Sequence, residues 1–216
     1  MDLSGIKGQY DAIFSLGSNC SAAIQLQKNN IRPFSGVLDW MTSESLADVN
    51  RLLRNRFNGF MELPNMSIEG IDAHENSYRL RDHAYNIVSV HDFPISINTP
   101  ANLVSYAGFK MKMERRIQRF IDKTAACKNI LFVRTNGSYE EIIELQSILS
   151  GMVGHNCKIL LVNYSGAPGL REHYWGLEKV CVLEMQGYDI WRQNDHLWKI
   201  VFDGVQLIGA DRVIND

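Results

Sequence analysis

Four short apolar runs place the strongest constraint on how this chain of 216 residues can fold. The runs lie near residues 12–16, 129–133, 159–163 and 180–185, and each is predominantly apolar instead of alternating with polar residues. Segments with helical periodicity separate them, and strands buried on both faces alternate with helices in parallel sheets. The sequence therefore predicts a single α/β domain over residues 1–216, with a largely parallel sheet flanked by helices.

The region between residues 58 and 100 interrupts this pattern. Its first part, 58–72, contains Gly, Pro and Asn and is interpreted as loop with short pieces of structure. Residues 78–82 and 85–91 have the pattern of two strands around a turn. We interpret 58–100 as an inserted loop or hairpin region. Helices are predicted over 20–30, 44–57, 102–126 and 138–149, with a short one over 170–175.

Charge and cysteine content indicate the environment of the chain. The net charge of −2 gives no reason to expect nucleic acid or an anionic membrane as a partner. The N-terminus lacks the pattern of a signal peptide, and no apolar run approaches the length of a membrane span. The four cysteines, at positions 20, 127, 157 and 181, form no CxxC motif. We expect free thiols, no disulfides and a cytoplasmic location.

No cofactor or metal is expected from the sequence. It contains no GxGxxG after the first strand, no GxxxxGK[ST] and no DxD, so nucleotide-dependent chemistry has little support. The spacing of His74, His83 and His91 matches no metal site.

The stretch DAIFSLGSNCS, residues 11–21, is the best candidate for a catalytic centre. An apolar strand ends at Gly17, and a helical pattern begins at Cys20. A helix N-terminus stabilises an anion, so a thiol there tends to have a depressed pKa and to act as a nucleophile. The alternative is that Cys20 is a small buried residue packing the first turn.

The sequence also resembles a known family. SLGSNCSAAIQLQ, IRPFSGVLDW, VHDF, and ERRIQRF followed by ILFVR occur in this order in a family of mostly bacterial, functionally uncharacterised proteins classed as papain-like cysteine peptidases. The resemblance covers about residues 11–134. It implies a thiol-dependent hydrolase.

A thiol nucleophile needs a base and a group that orients the base. The motif VHDF makes His91 the best candidate for the base. Asp39, in the motif LDW, and Asp92 are the candidates for the orienting acid. We prefer Asp39, because the side chain of Asp92 would point to the opposite face of a strand from His91. Asp39 could instead cap the helix that follows it.

Polar groups at the ends of the predicted parallel strands complete the expected site. Ser18 and Asn19 precede the thiol, and Asn19 and the helix N-terminal amides are the expected oxyanion donors. Asn136 follows the strand ILFV, and such loops converge at one edge of a parallel sheet.

Three arginines are candidates for binding an anionic part of the substrate: Arg116, Arg119 and Arg134. The first two are neighbours on the predicted helix, where they could bind a carboxylate, a phosphate or a sugar acid. Pairing with acidic residues of the fold is the alternative, and it is slightly favoured.

Three functions remain open. The first is a cysteine peptidase acting on a peptide. The second is an acyltransferase or esterase acting on a glycan or small acceptor, because a strand, a turn, a nucleophile and a helix in this order are typical of such enzymes. The third is a non-catalytic module in which Cys20 is structural and the arginines bind an anionic ligand.

Overall fold

The computed structural model of the protein describes residues 1–188, 190 and 194–208. In chain order its strands and α-helices are β1 (Gly8–Tyr10), β2 (Ala12–Ser15), α1 (Ser21–Lys28), β3 (Met41–Thr42), α2 (Leu46–Arg54), β4 (Met66–Asp72), β5 (Ser77–Asp82), β6 (Ile87–Ser89), α3 (Tyr106–Ala126), β7 (Asn129–Thr135), α4 (Tyr139–Met152), β8 (Asn156–Ser165), β9 (Leu170–His173), β10 (Val180–Gln186), α5 (Asp195–Phe202) and β11 (Val205–Leu207).

The four apolar runs form one sheet. Its strand order is β2-β7-β8-β10-β9, and all neighbours are parallel except the edge strand β9, which is antiparallel to β10. Phe14 lies opposite Phe132, and Phe132 lies opposite Ile159. The mixed α/β class and its parallel sheet are therefore confirmed.

Side chains on the two faces of this sheet belong to separate hydrophobic clusters. Phe14 and Phe132 pack with buried residues of α2, α3 and α4. Ile13 and Leu131, the adjacent residues along the same strands, pack with α1 and α5. Because successive side chains of a strand point to opposite faces, every run must be apolar throughout to fill both clusters.

A second, antiparallel sheet is built mainly from the region 58–100. Its strand order is β3-β6-β5-β4, and β3 comes from earlier in the chain. Leu80 and Ile87 join the same hydrophobic cluster as α2 and α3, so the second sheet lies on that side of the parallel sheet. A further pair, β1 and β11, is parallel and joins Gly8 to Val205.

Several local predictions differ from the structure. Residues 66–72, interpreted as part of a loop with short pieces of structure, form β4, an edge strand of seven residues with an irregularity between Ile68 and Gly70. Residues 170–173 are the edge strand β9 and not a helix, because their backbone pairs with β10. Gly151 lies inside α4, which ends one residue later. At its other end, α4 begins with a capping box formed by Ser138 and Glu141.

No helix within the described residues has both the length and the apolar character needed to cross a membrane.

Candidate active site

A tight turn carries the chain from β2 to the thiol. Gly17 and Ser18 have φ values of 79° and 84°, a region that residues with a side chain rarely adopt. A Cβ on Gly17 would lie 2.7 Å from Ser43 Oγ, so only glycine fits there. Ser18 N–H donates to the same hydroxyl, and Ser43 N–H donates to the Ser18 carbonyl. The turn ends at Cys20, the N-cap residue of α1.

Cys20, His91 and Glu75 form a contiguous row of side chains. Cys20 Sγ lies 3.5 Å from His91 Nε2. The other ring nitrogen, Nδ1, lies 3.1 Å from Glu75 Oε2. His91 follows β6, and Glu75 lies in the turn between β4 and β5. The antiparallel sheet therefore brings an imidazole and a carboxylate to a thiol that the parallel sheet positions.

The pKa of the Cys20 thiol is raised, not depressed as the sequence suggested. Burial of the thiol is the main cause, and the negative charges of Asp39 and Glu75 add to it, so that the pKa rises to about 11. The Cys20 backbone amide opposes this shift. The cost of forming a buried, poorly hydrated thiolate exceeds the stabilisation that the helix N-terminus gives to its negative charge. At neutral pH the sulfur therefore carries its proton and needs a base to remove it.

A cavity of about 810 Å³ opens onto this row of side chains. Ile24, Trp40 and Val90 supply its apolar wall. Its remaining lining residues are polar. They come from the turn of residues 17–20, which we name the nucleophile turn, from β3, from the hairpin of β4 and β5, and from the segment after β6: Asn19, Cys20, Thr42, Asp72, His74, Glu75, Arg79 and His91. The cavity combines a thiol, a base and space for a substrate group.

The two acids considered from sequence lie elsewhere. Asp39 Oδ2 accepts hydrogen bonds from Arg32 Nε at 2.7 Å and from Gly36 N–H at 2.8 Å. The carboxylate of Asp92 accepts from the Ser89 hydroxyl and pairs with the Lys112 ammonium group. Neither is the carboxylate against His91 Nδ1. The preference for Asp39 is corrected, because its carboxylate accepts hydrogen bonds from Arg32 and Gly36 of its own loop and does not contact His91.

Arg134 does not reach the cavity. It is fully buried, and its guanidinium donates to the carbonyl groups of Leu16, Ser43, Glu44 and Asn136 and to the Ser43 hydroxyl. Burial lowers its pKa to about 9, which leaves it charged at neutral pH. Arg134 therefore joins the nucleophile turn to the segment before α2, and it is not placed to bind a substrate.

The two arginines of α3 are also absent from the cavity lining. Arg116 is buried, and Arg119 donates to the Ser35 carbonyl while its guanidinium lies 5.1 Å from the centre of the Phe34 ring. Burial of Arg116 and the contacts of Arg119 place both side chains within the fold, away from the residues that line the cavity.

The remaining predicted polar residues divide into two groups. Asn19 lines the cavity, and its Oδ1 accepts from Ser21 N–H. Ser18 is buried in the turn. Asn136 Oδ1 accepts from Tyr164 N–H, which joins the loop after β7 to the end of β8. Only Asn19 of these three contributes to the cavity.

The comparison with protein families gives one match. A family described as "Putative papain-like cysteine peptidase (DUF1796)" matches residues 11–167. The chain belongs to this family. The matched range contains Cys20, Glu75 and His91, all four strands of the antiparallel sheet and the first three strands of the parallel sheet.

A relative of this family member occurs in a virus. The chain is similar to Uncharacterized protein R408 of Acanthamoeba polyphaga mimivirus, with 26% identity over 215 residues that cover 88% of this chain and 96% of the viral protein. No solved structure is significantly similar to the chain.

The sequence analysis did not identify Glu75 or the strand that precedes it. Glu75 lies in the polar turn between β4 and β5, and β4 falls in the segment 58–72 that was interpreted mainly as loop. The available signal was the strand pattern predicted over 78–82 and 85–91, of which the second segment ends at His91. Among the described residues, no three His, Cys, Asp or Glu side chains are grouped closely enough to hold a metal ion.

Proposed function

We propose that this protein is a thiol-dependent hydrolase of the papain-like cysteine peptidase type. Cys20 is the nucleophile, His91 the general base and acid, and Glu75 the group that orients His91. The observation that carries the proposal is the distance of 3.5 Å between Cys20 Sγ and His91 Nε2 at the edge of a cavity. Membership of the family supports the same reaction class.

Glu75 determines which of the two ring nitrogens of His91 carries the proton. When its carboxylate accepts a hydrogen bond from His91 Nδ1–H, the lone pair of Nε2 faces the thiol. Nε2 then takes the proton from Sγ as the sulfur attacks the substrate carbonyl carbon. This general-base step fits a thiol whose pKa is raised to about 11.

The nucleophile turn supplies donors for the oxyanion. The Cys20 backbone N–H and the Asn19 carboxamide are the candidates, because both lie where the cavity meets the start of α1. Collapse of the tetrahedral intermediate transfers the proton from His91 to the leaving group and leaves a thioester on Cys20. Water, deprotonated by His91, then attacks the thioester and releases the acid and the free thiol.

A second candidate reaction is acyl transfer or ester hydrolysis on a glycan or other small acceptor. The observation that favours it is the position of Cys20 after a strand of a parallel sheet and a turn with two positive φ values. The residues and their roles are the same, and an acceptor hydroxyl replaces water in the second half of the reaction.

The proposal is tested by trapping the acyl-enzyme. The protein is mixed with activated acyl esters and with peptide anilides, and the digest is analysed by mass spectrometry. We expect an acyl group on the Cys20 peptide, absent from Cys20→Ser and reduced in His91→Ala. Turnover of anilides supports the peptidase, and turnover of esters alone supports the second candidate. Acylation of no cysteine, or of Cys127 as readily as Cys20, would favour the non-catalytic module.

We also propose a reducing, cytoplasmic location, because all four cysteines are free thiols and the mechanism needs a reduced sulfur.

A further inference from the structure

The segment IRPFSGVLDW, residues 31–40, is a family-like motif that contributes no group to the proposed reaction. Its Asp39 is almost fully buried and forms an ion pair with Arg32, whose side chain is also mostly buried. Two further contacts fix this pair. Gly36 N–H donates to Asp39, and Arg32 Nη2 donates to the Ser35 hydroxyl at 2.8 Å.

Glycine at position 36 is required by the same arrangement. A Cβ there would lie 2.8 Å from Asp39 Oδ1, closer than unbonded atoms approach. The loop is therefore built around the carboxylate of Asp39. Removing one partner of a buried pair leaves the other charge uncompensated, so both members are needed.

The ion pair contacts Trp40 of the cavity wall through the guanidinium of Arg32. The guanidinium of Arg32 lies 4.9 Å from the centre of the Trp40 ring, within the range of a cation–π contact. Trp40 in turn lies edge-to-face against His91, with ring centres 6.0 Å apart and planes at 84°. Trp40 also lines the cavity. A continuous series of contacts thus runs from Asp39 through Arg32 and Trp40 to His91.

We propose that Asp39, Arg32 and Trp40 form a brace that positions the His91 ring against Cys20. The inference rests on the proposed function, because it assigns these three as positioning residues for the base. Glu75 fixes one nitrogen of the imidazole, and Trp40 fixes the plane of the ring. The segment 31–40 thereby contributes to catalysis, although the carboxylate of Asp39 does not contact His91.

The brace acts only through His91, and this gives a sharp test. Cys20 alkylation by iodoacetamide is measured across pH in Trp40→Leu, in His91→Ala and in the double variant. We expect Trp40→Leu to slow alkylation near neutral pH by about five- to tenfold, an effect the size of a lost aromatic contact. In the His91→Ala background the same change should have no further effect, and Trp40→Phe should restore most of the rate.

Arg32→Lys provides a milder second variant, because lysine keeps the charge but loses the planar group that covers Trp40. We expect it to slow Cys20 alkylation by about twofold or more and to shift the imidazole nitrogen resonances of His91 in NMR spectra. Trp175→Leu and Arg51→Lys are matched controls, since Trp175 contacts Tyr139 and Arg51 covers the Tyr85 ring, away from the site. Neither should change the alkylation rate.

Two results would overturn the brace. One is an equal loss from Trp40→Leu with and without His91, which would mean that Trp40 acts on the cavity directly. The other is an unchanged rate in both Trp40→Leu and Arg32→Lys while His91→Ala remains slow, which would leave the proposed function intact. If His91→Ala itself has no effect, the proposed function fails and the brace fails with it.

Discussion

Glu75 Oε2 lies 3.1 Å from His91 Nδ1, while the other nitrogen of the same ring faces the sulfur of Cys20. The carboxylate and the imidazole follow strands of the antiparallel sheet, and the thiol follows β2 of the parallel sheet. The three side chains therefore meet only when the two sheets pack in their native positions.

Replacing Glu75 by Gln tests this relationship. The amide can donate to Nδ1 as well as accept from it, so the imidazole loses its fixed tautomer, and we expect His91-dependent alkylation of Cys20 to fall about tenfold or more. Loss of the negative charge should also lower the pKa of Cys20, because Glu75 raises it. The two effects are separated by measuring the alkylation rate from neutral to alkaline pH.

Glu140→Gln is the control for this change, since Glu140 is exposed on the first turn of α4. It should leave the rate and its pH profile unchanged. An unaltered profile in Glu75→Gln would show that the carboxylate is not used by His91.

Asp39→Asn should reduce the stability of the fold and change the reactivity of Cys20. Arg32 would keep its buried charge without its carboxylate partner, and we expect a loss of about 3 kcal/mol in the free energy of unfolding. Because Asp39 raises the pKa of Cys20, its removal should lower that pKa. Urea unfolding measures the first effect, and alkylation against pH measures the second. If Asp39→Asn is as stable as the unchanged protein and the pKa of Cys20 stays the same, the ion pair with Arg32 and the charge effect on Cys20 are both contradicted.

Arg134→Met should destabilise the nucleophile turn. The side chain joins Leu16 to Ser43 and Glu44, and its loss leaves several buried carbonyl groups without a donor, each at a cost of about 1 kcal/mol or more. We expect a fall of about 3 kcal/mol in the free energy of unfolding by urea. If Arg134→Met remains fully stable but loses binding of an anionic substrate, the sequence-based assignment was right and the structural one is wrong.

The fold should lose stability at alkaline pH. Burial raises the pKa of Cys20 to about 11 and those of Cys181 and Tyr10 to about 12. These groups ionise earlier in the unfolded chain, so the folded state is favoured fully below the unfolded pKa, near 8.5 for a thiol, and loses that advantage as the pH rises toward 11 to 12. Urea unfolding at about pH 7.5 and 10.5 should show the fall.

Cys181→Ala should reduce this alkaline loss, because it removes one of the groups responsible. A free energy of unfolding that is constant or rises over the same pH interval would contradict the burial of these thiols.

The main sheet could be predicted because its signals are local. A run such as 129–133 is apolar on both faces, which is typical of a strand buried in a parallel sheet. Cys20 was proposed as the nucleophile because Gly17 and the change from strand to helix periodicity predict a turn just before it. His91 depended on a family motif, and its place near Cys20 remained a hypothesis until the geometry was known.

The contact of Glu75 with His91 could not be predicted, because it depends on tertiary structure. Glu75 is one of several carboxylates in a polar, exposed region, and the pairing of β4 with β5 and of β5 with β6 brings its turn to His91. Asp39 was a reasonable candidate by sequence, but Arg32 lies close enough in the loop to bind it first. The raised pKa of Cys20 depends on burial, which the pattern of the first helix does not reveal.

The most direct test of the proposed Cys20–His91 site is the rate at which iodoacetamide alkylates Cys20, with Cys157 and Cys181 as internal references. His196→Ala is a control, because His196 is exposed on α5 and does not line the cavity. We predict that Cys20 reacts faster than the two references near neutral pH and that His91→Ala slows it about tenfold or more. The difference in Cys20 alkylation rate between the unchanged protein and His91→Ala should narrow as the pH approaches about 11, where the thiolate forms without a base. If Cys20 reacts no faster than Cys157 and Cys181, and His91→Ala changes the rate at no pH, then Cys20 is not the nucleophile of an enzyme.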